Sequence, residues 1–410
     1  MLSKYDILKK SVIYEVFLRN YPPYGNFKSL IADLDRISDF GIDIIWLMPF
    51  YPCGKKNRKG EFGSPYAIYD YKGIDSTIGN FDDFDLFIKE CRKRDIKVII
   101  DIVFHHTACD SVIVQEHGDF ILKDKDGSFT RKVPDWSDVY DLDFSNDKLY
   151  EYLIDVLRFW LEKGVNGFRC DVAPAIPLRF WQEANDILSK DFPDIIWLAE
   201  STEPDFIYEY RQQGYNIHSD CELYNVFDIT YDYDIWRYFK QSFNDLSYLD
   251  DLVNALRNQL VIYPKYFLKL RFLENHDQVR VASIIKNEKL LKLWTAFLFS
   301  LPGPVLIYNG QEYFDSFTLS LFDRQIMKFN KDKNVSQFFK NLIFYRKELQ
   351  YDNFDIFIKD NVILCNYNNG MQWAAFNFST EPKFLNNLFE NVKISKNLLQ
   401  LKPFNYIYIV

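Results

Sequence analysis

The sequence predicts an α/β fold: a (β/α)8 TIM barrel with a short insertion after its third strand and a small C-terminal all-β domain. Three observations carry that expectation. Short apolar, β-branched runs alternate with amphipathic helical segments, the pattern of parallel βαβ units whose strands are covered on both faces. A polar stretch, residues 105–145, interrupts the alternation once. From about Asp352 the helical period gives way to short alternating runs.

Residues 12–18 and 43–48 read as the first two strands, with a helix over 27–40 between them. In the helix over 81–94, Phe84, Phe87, Ile88 and Cys91 fall at i, i+3, i+4 and i+7, one apolar stripe of a 3.6-residue period. A third strand over 97–104 leads into the insertion, which is rich in Asp, Gly and His. Connections that long in a compact domain are usually functional. Helix 148–162, strand 164–171, helix 178–189 and strand 195–199 restore the rhythm, and 267–273 and 305–308 are further strands. About eight such units favour a closed barrel over an open doubly wound sheet. The barrel then comprises residues 1–104 and 146–350, and residues 351–410 form a β-sandwich-like domain from runs at 354–359, 362–367, 372–378 and 406–410.

Composition narrows the partners. The 410 residues carry 49 Lys and Arg against 58 Asp and Glu, a net charge of -9. An acidic surface repels phosphate backbones, which argues against nucleic acid and against anionic membranes. No apolar run approaches ~18 residues; the best, 293–308, is broken by Ser300, Pro302, Gly303 and Pro304. The opening MLSKYDILKK lacks the apolar core of a signal peptide. Six scattered cysteines form no CxxC pair and no metal spacing. Reduced thiols in a cytoplasmic protein, with no cofactor, are the expectation.

The chemistry gathers where strands end. In a barrel the C-terminal strand ends line the mouth, where active sites sit. The third strand runs out in DIVFHH (Asp101 to His106), the fourth in GFRCD (ending at Asp171), the fifth in WLAE (ending at Glu200) and the seventh in ENHD (Glu274 to Asp277). Period-two alternation puts Arg169 and Asp171 on one face and turns Cys170 towards the helices. Asp171, Glu200 and Asp277 thus converge with Arg169 and two histidines. Gathered like charges cost free energy unless a function needs them, and close carboxylates push one pKa upward, which supplies an acid near neutral pH. Retaining glycoside hydrolysis needs such a pair ~5–5.5 Å apart.

The segments DIVFHH, GFRCD, WLAES and LENHD resemble, in order, the four hallmark motifs of the α-amylase family of glycoside hydrolases (family thirteen). GIDIIWLMPFYP and GSPYAIYDYKGIDSTIGNFDDF are similar to its second strand and the loop after it, so the resemblance spans roughly residues 11–330. It implies Asp171 as nucleophile, Glu200 as general acid/base and Asp277 as transition-state stabiliser. It implies that Arg169, His106, His276 and the stacking Tyr66 contact the sugar or orient Asp171, with Asp101 supporting Arg169 and His106 from behind.

The chain departs from the family pattern in places. Where the family usually has a calcium-binding Asn before the strand-three histidine, this chain has His105, and the calcium-linked His after the nucleophile is Ala175. The Lys that contacts the leaving-group side is Pro174, the fifth motif survives only as Val133-Pro134-Asp135-Trp136, and the His of the HGY pattern is Ser64. No first-strand calcium loop is present. The expectation is a metal-free hydrolase cleaving α-1,4 bonds in α-glucans or maltooligosaccharides. Val172 resembles the residue seen in members acting on α-1,6 bonds, so an oligo-α-1,6-glucosidase or a glucan transglycosylase is the alternative. A non-catalytic binding subunit is a remote third, since such relatives lack the carboxylates.

Overall fold

The computed structural model describes residues 3–329, 333–385 and 400–409. In chain order its strands are β1 (Val12–Val16), β2 (Ile44–Leu47), β3 (Lys97–Ile102), β4 (His106–Ala108), β5 (Val139–Asp141), β6 (Gly167–Cys170), β7 (Ile196–Ala199), β8 (Ile229–Tyr231), β9 (Lys269–Leu270) and β10 (Val305–Tyr308). Strands β11 (Asp355–Lys359), β12 (Val362–Tyr367), β13 (Gln372–Asn377), β14 (Lys383–Phe384), β15 (Gln400–Leu401) and β16 (Asn405–Ile409) follow.

One parallel sheet runs β10-β1-β2-β3-β6-β7-β8-β9, and an isolated parallel bridge between Arg271 and Val305 brings its two ends together. This is the eight-stranded barrel. Strands β1, β2, β6, β7 and β10 are buried along their whole length, which is why they read as apolar runs rather than alternating ones, broken only by Glu15 in β1 and Arg169 in β6. Helices Phe27–Phe40, Phe81–Lys93, Asp147–Glu162 and Leu178–Leu188 are among those packed outside, Asn26, Asn80 and Asn146 capping the first three. Gly167 opens β6 because a Cβ there would lie 2.1 Å from the Ile196 carbonyl oxygen of the neighbouring strand.

Several elements differ from the sequence expectation. The strands expected at 164–171 and 267–273 are shorter, Gly167–Cys170 and Lys269–Leu270. The sixth barrel strand, β8, has only three residues, too few for a periodicity to register in the sequence. Strand β3 stops at Ile102, and His106 starts β4, which pairs antiparallel with β5 in the register His106 with Asp141. The insertion is thus anchored by its own two-stranded ribbon.

At the C-terminus β11-β12-β13-β16 form an antiparallel sheet and β14-β15 a two-stranded ribbon. One face, with Ile356, Ile363, Cys365 and Phe376, joins the barrel's core. The other, with Val362, Leu364 and Ala375, is covered by Leu401 of the ribbon and by Leu385 just after β14. Part of the run expected at 406–410 and residues 386–399 of the expected sandwich lie outside the described residues. The helix Glu288–Ser300 is the seam, with Tyr408 Oη donating to the Ala296 carbonyl at 2.6 Å and Tyr367 Oη to Ser300 at 2.9 Å. Among the described residues no helix is long and apolar enough to cross a membrane.

Candidate active site

Arg169 is the centre of the barrel mouth. Its β6 position aims the guanidinium inward, fully buried, against the faces of Trp46, Tyr66 and Tyr231. Nη1 donates to Asp101 Oδ1 at 2.8 Å and to Asp171 Oδ1 at 2.9 Å. Nη2 lies 2.9 Å from Glu200 Oε1, an ion pair off the line of a hydrogen bond. One cation therefore holds three carboxylates from three adjacent strands side by side.

Burial dominates how these carboxyls titrate. Asp171 is pushed up to about 6 by desolvation, with Arg169 pulling the other way and the Asp101 charge adding to the rise. Glu200 goes up to about 7 for the same first reason, against Arg169 and helped by Asp171 and Asp277. Burial also raises Asp101, to about 6. Asp277 behaves oppositely: burial would raise it, but the His276 imidazolium and Arg169 hold it below the usual aspartate range. Two acids of different strength thus sit beside an ionised third, the arrangement that divides acid from base roles.

Val172 contributes through its backbone. It adopts φ 41° and ψ 42°, a left-handed conformation that a β-branched residue rarely takes. Such strain costs about 1–3 kcal/mol and concentrates at functional sites. Here it turns the Val172 N–H onto Glu200 Oε2 at 2.8 Å, fixing the carboxyl's orientation.

His276 bridges two carboxylates, Nδ1 to Glu15 Oε1 at 2.5 Å and Nε2 to Asp277 Oδ2 at 3.1 Å. Burial disfavours its charged form, yet Asp277 and Glu15 win and hold it protonated well above the usual histidine range. Tyr66 Oη lies 2.6 Å from His276 Nε2 and donates to Asp101 Oδ2 at 3.2 Å. His106, whose pKa burial lowers, packs 5.1 Å from the Trp136 ring.

A cavity of about 250 Å³ opens between these groups, lined by Tyr66, His106, Asp171, Glu200 and Asp277 from the expected set. Arg169, His276 and Asp101 do not line it; they are buried behind it, bonded to the lining residues Asp171, Glu200, Asp277 and Tyr66. Trp136, from the remnant of the fifth motif, also lines it. So do Lys59, Asp138, Leu321 and Phe322, to which the sequence assigned no part in the site because they stand on loops without a motif. Glu15 was missed too, although a lone carboxylate in the apolar run VIYEV was a visible signal.

The residues near the insertion do not fit the calcium site of the family. His105 is buried and offers ring nitrogens, with Nδ1 3.2 Å from His106 Nδ1. Arg131 Nη1 donates to the Trp136 and Val139 carbonyls at 3.0 and 3.1 Å, so oxygens in this ribbon already face a cation. Among the described residues no group of three or more His, Cys, Asp or Glu side chains is placed to hold a metal. Hard cations need several oxygen ligands together.

Eight parallel strands with a carboxylate cluster at their C-terminal ends define the class, a (β/α)8-barrel protein with its site on the rim. The chain belongs to the α-amylase family: the model of the α-amylase catalytic domain matches residues 9–136 and 124–337. An α-amylase structure from Lactobacillus plantarum is 36% identical over 100% of both chains with a TM-score of 0.91. A noncanonic maltogenic α-amylase structure from Thermotoga neapolitana is 35% identical, covering 98% of this chain and 97% of its own, with a TM-score of 0.83. Alpha-amylase 2 of Dictyoglomus thermophilum is 26% identical over 332 residues, 74% of this chain and 55% of that relative. The chain thus spans about half the length of that curated relative.

Proposed function

We propose that the protein is a retaining glycoside hydrolase acting on α-1,4 bonds of α-glucans or maltooligosaccharides. The observation that carries this is the shared guanidinium: Arg169 holds Asp171 and Glu200 side by side, each facing the same cavity. Adjacent carboxyls suit the ~5–5.5 Å spacing of a nucleophile and acid/base better than the ~6.5–9.5 Å that leaves room for an inverting water.

In this reading Asp171 attacks the anomeric carbon while Glu200, still protonated near neutral pH, gives its proton to the departing sugar oxygen. Water, deprotonated by the same Glu200, then releases the glycosyl group from Asp171. The ionised Asp277 faces the developing oxocarbenium charge. His276 and His106 bind hydroxyls of the reacting sugar, and Tyr66 stacks beneath it. Asp101 keeps Arg169 in place. Six free cysteines suit a reducing compartment, and a cytoplasmic site of action is part of the proposal.

Anomer-resolved proton NMR on maltoheptaose tests the mechanism: the first product should carry the α configuration. A first-formed β-anomer would contradict it. Val172 lines the cavity beside Glu200, which keeps α-1,6 cleavage as a second reading. Isomaltose and panose assayed beside maltotriose decide between the two. The protein is also expected to work without calcium: EDTA should change neither Tm nor rate, whereas a loss restored by added calcium would reject the metal-free site.

A further inference from the structure

The cavity is walled on one side by three loops tied together. Lys59 Nζ pairs with Asp138 Oδ1 at 3.0 Å and donates to the Asp135 carbonyl at 3.1 Å, joining the loop after β2 to the insertion. Asp138 is buried, and Asn57 Nδ2 adds a bond to the Ser137 carbonyl at 3.2 Å. On its far side the same loop is pinned to residues 321–323. Phe62 N donates to the Phe322 carbonyl at 3.0 Å, Glu61 N to Asp323 Oδ1 at 3.1 Å, and Arg19 Nη1 to the Gly63 and Leu321 carbonyls at 2.9 and 3.2 Å. Lys59, Trp136, Asp138, Leu321 and Phe322 all face the cavity.

The wall has a direction. Glu200 donates its proton to the departing sugar, so that part of the substrate lies towards Glu200 and Val172. The wall stands on the side of the retained sugar: Tyr66 extends from the tied loop, and Trp136 packs on His106. In an α-1,4 glucan the retained side is the non-reducing end. At about 250 Å³ the cavity is also smaller than the ~300–1,000 Å³ usual for ligand sites.

We infer that the Lys59–Asp138 bridge closes the glycone side of the cleft, so that the enzyme acts at non-reducing chain ends and releases short products. This rests on the hydrolase reading above. The strap excludes further sugar units by occupying their path and by keeping Trp136 and Phe322 close, so Lys59 is a specificity-determining residue rather than a catalytic one.

The test compares maltoheptaose with a free non-reducing end and maltoheptaose blocked there by a 4,6-acetal, with first products resolved by chromatography. The native protein should cleave the free substrate about tenfold or more faster, a difference above roughly 1.4 kcal/mol. Lys59→Met should narrow that ratio and lengthen the first products, while Lys59→Arg should keep the native pattern. Equal cleavage of both substrates by the native protein would overturn the inference, whether or not the variants fold. Unchanged first products from folded Lys59→Met would overturn it as well. Cleavage of neither substrate by the native protein would remove the hydrolase reading, and this inference with it.

Discussion

Two buried charge clusters lie next to each other in this barrel, and they are built on opposite principles. At the rim, Arg169 and His276 face Asp101, Asp171, Glu200, Asp277 and Glu15. On β8 and β9, Lys269 pairs with Asp220 and, at 3.0 Å, with Asp234, while Arg271 Nη1 donates to Asp232 Oδ2 at 2.7 Å. Gln259 knits the second cluster, donating to Asp232 and Asp234 and accepting from Arg271 at 2.8–2.9 Å. Tyr231 belongs to both, accepting from Arg169 at its hydroxyl and from Lys269 at its carbonyl. The β8–β9 cluster has an amide and two cations for three carboxylates, and none of these residues lines the cavity. The rim cluster carries excess carboxylates and opens into it. The closed-in cluster lacks one cation and has an amide in its place; the cluster proposed to serve chemistry is left further under-compensated, where a substrate can reach it.

The largest expected effect separates the two directly. Asp171→Asn should lower kcat by about 10⁴-fold or more, as when a nucleophile acting within a unit is lost, with Tm unchanged or raised. Near-native turnover in a clean preparation would end the assignment of Asp171. Lys269→Met should do the reverse, costing about 3–5 kcal/mol by stranding Asp220 and Asp234. Turnover per folded molecule should stay near native; a matching collapse of kcat would show that the second cluster is not merely structural.

Next in size is the pH profile. Below the Asp171 value of about 6 the proposed nucleophile is protonated, and above the Glu200 value of about 7 the proposed acid is lost. The rate should therefore peak narrowly between them and fall about tenfold per unit well outside on either side. A flat profile from pH 5 to 9 would show that these carboxyls do not titrate during turnover. Tyr66→Phe removes the contacts to Asp101 and His276 and should cost about tenfold in kcat/KM, on the scale of a buried hydrogen bond to a charged group.

The smallest effect is on stability. Because the Glu200 pKa is raised on folding from 4.5 to about 7, its ionisation opposes the folded state. The stability it contributes is fully present below about 4.5 and is lost as pH rises through about 7. Glu200→Gln cannot ionise, so it should melt a few degrees higher than the native protein at pH 8 and alike at pH 4. Equal melting at both values would mean that Glu200 is not desolvated as described.

The sequence by itself determined the barrel class and most of the floor of the site. Buried strands are mostly apolar, and a carboxylate or arginine at their ends stands out against that background; Arg169, Asp171, Glu200 and Asp277 were legible for this reason, and Asp101 and His276 through the resemblance of the motifs that carry them. Strand β8 was not, because three residues carry no period, and Glu15 was passed over although its charge interrupts a buried strand. Only the tertiary structure decided the rest. The Arg169 bonds that set the three carboxyls side by side, the strained Val172 N–H on Glu200 and the Lys59–Asp138 ion pair join residues far apart in the chain. The reason is physical: strand and helix periodicity is a local constraint written into neighbouring residues, whereas loop-to-loop contacts depend on where the closed barrel delivers each strand end.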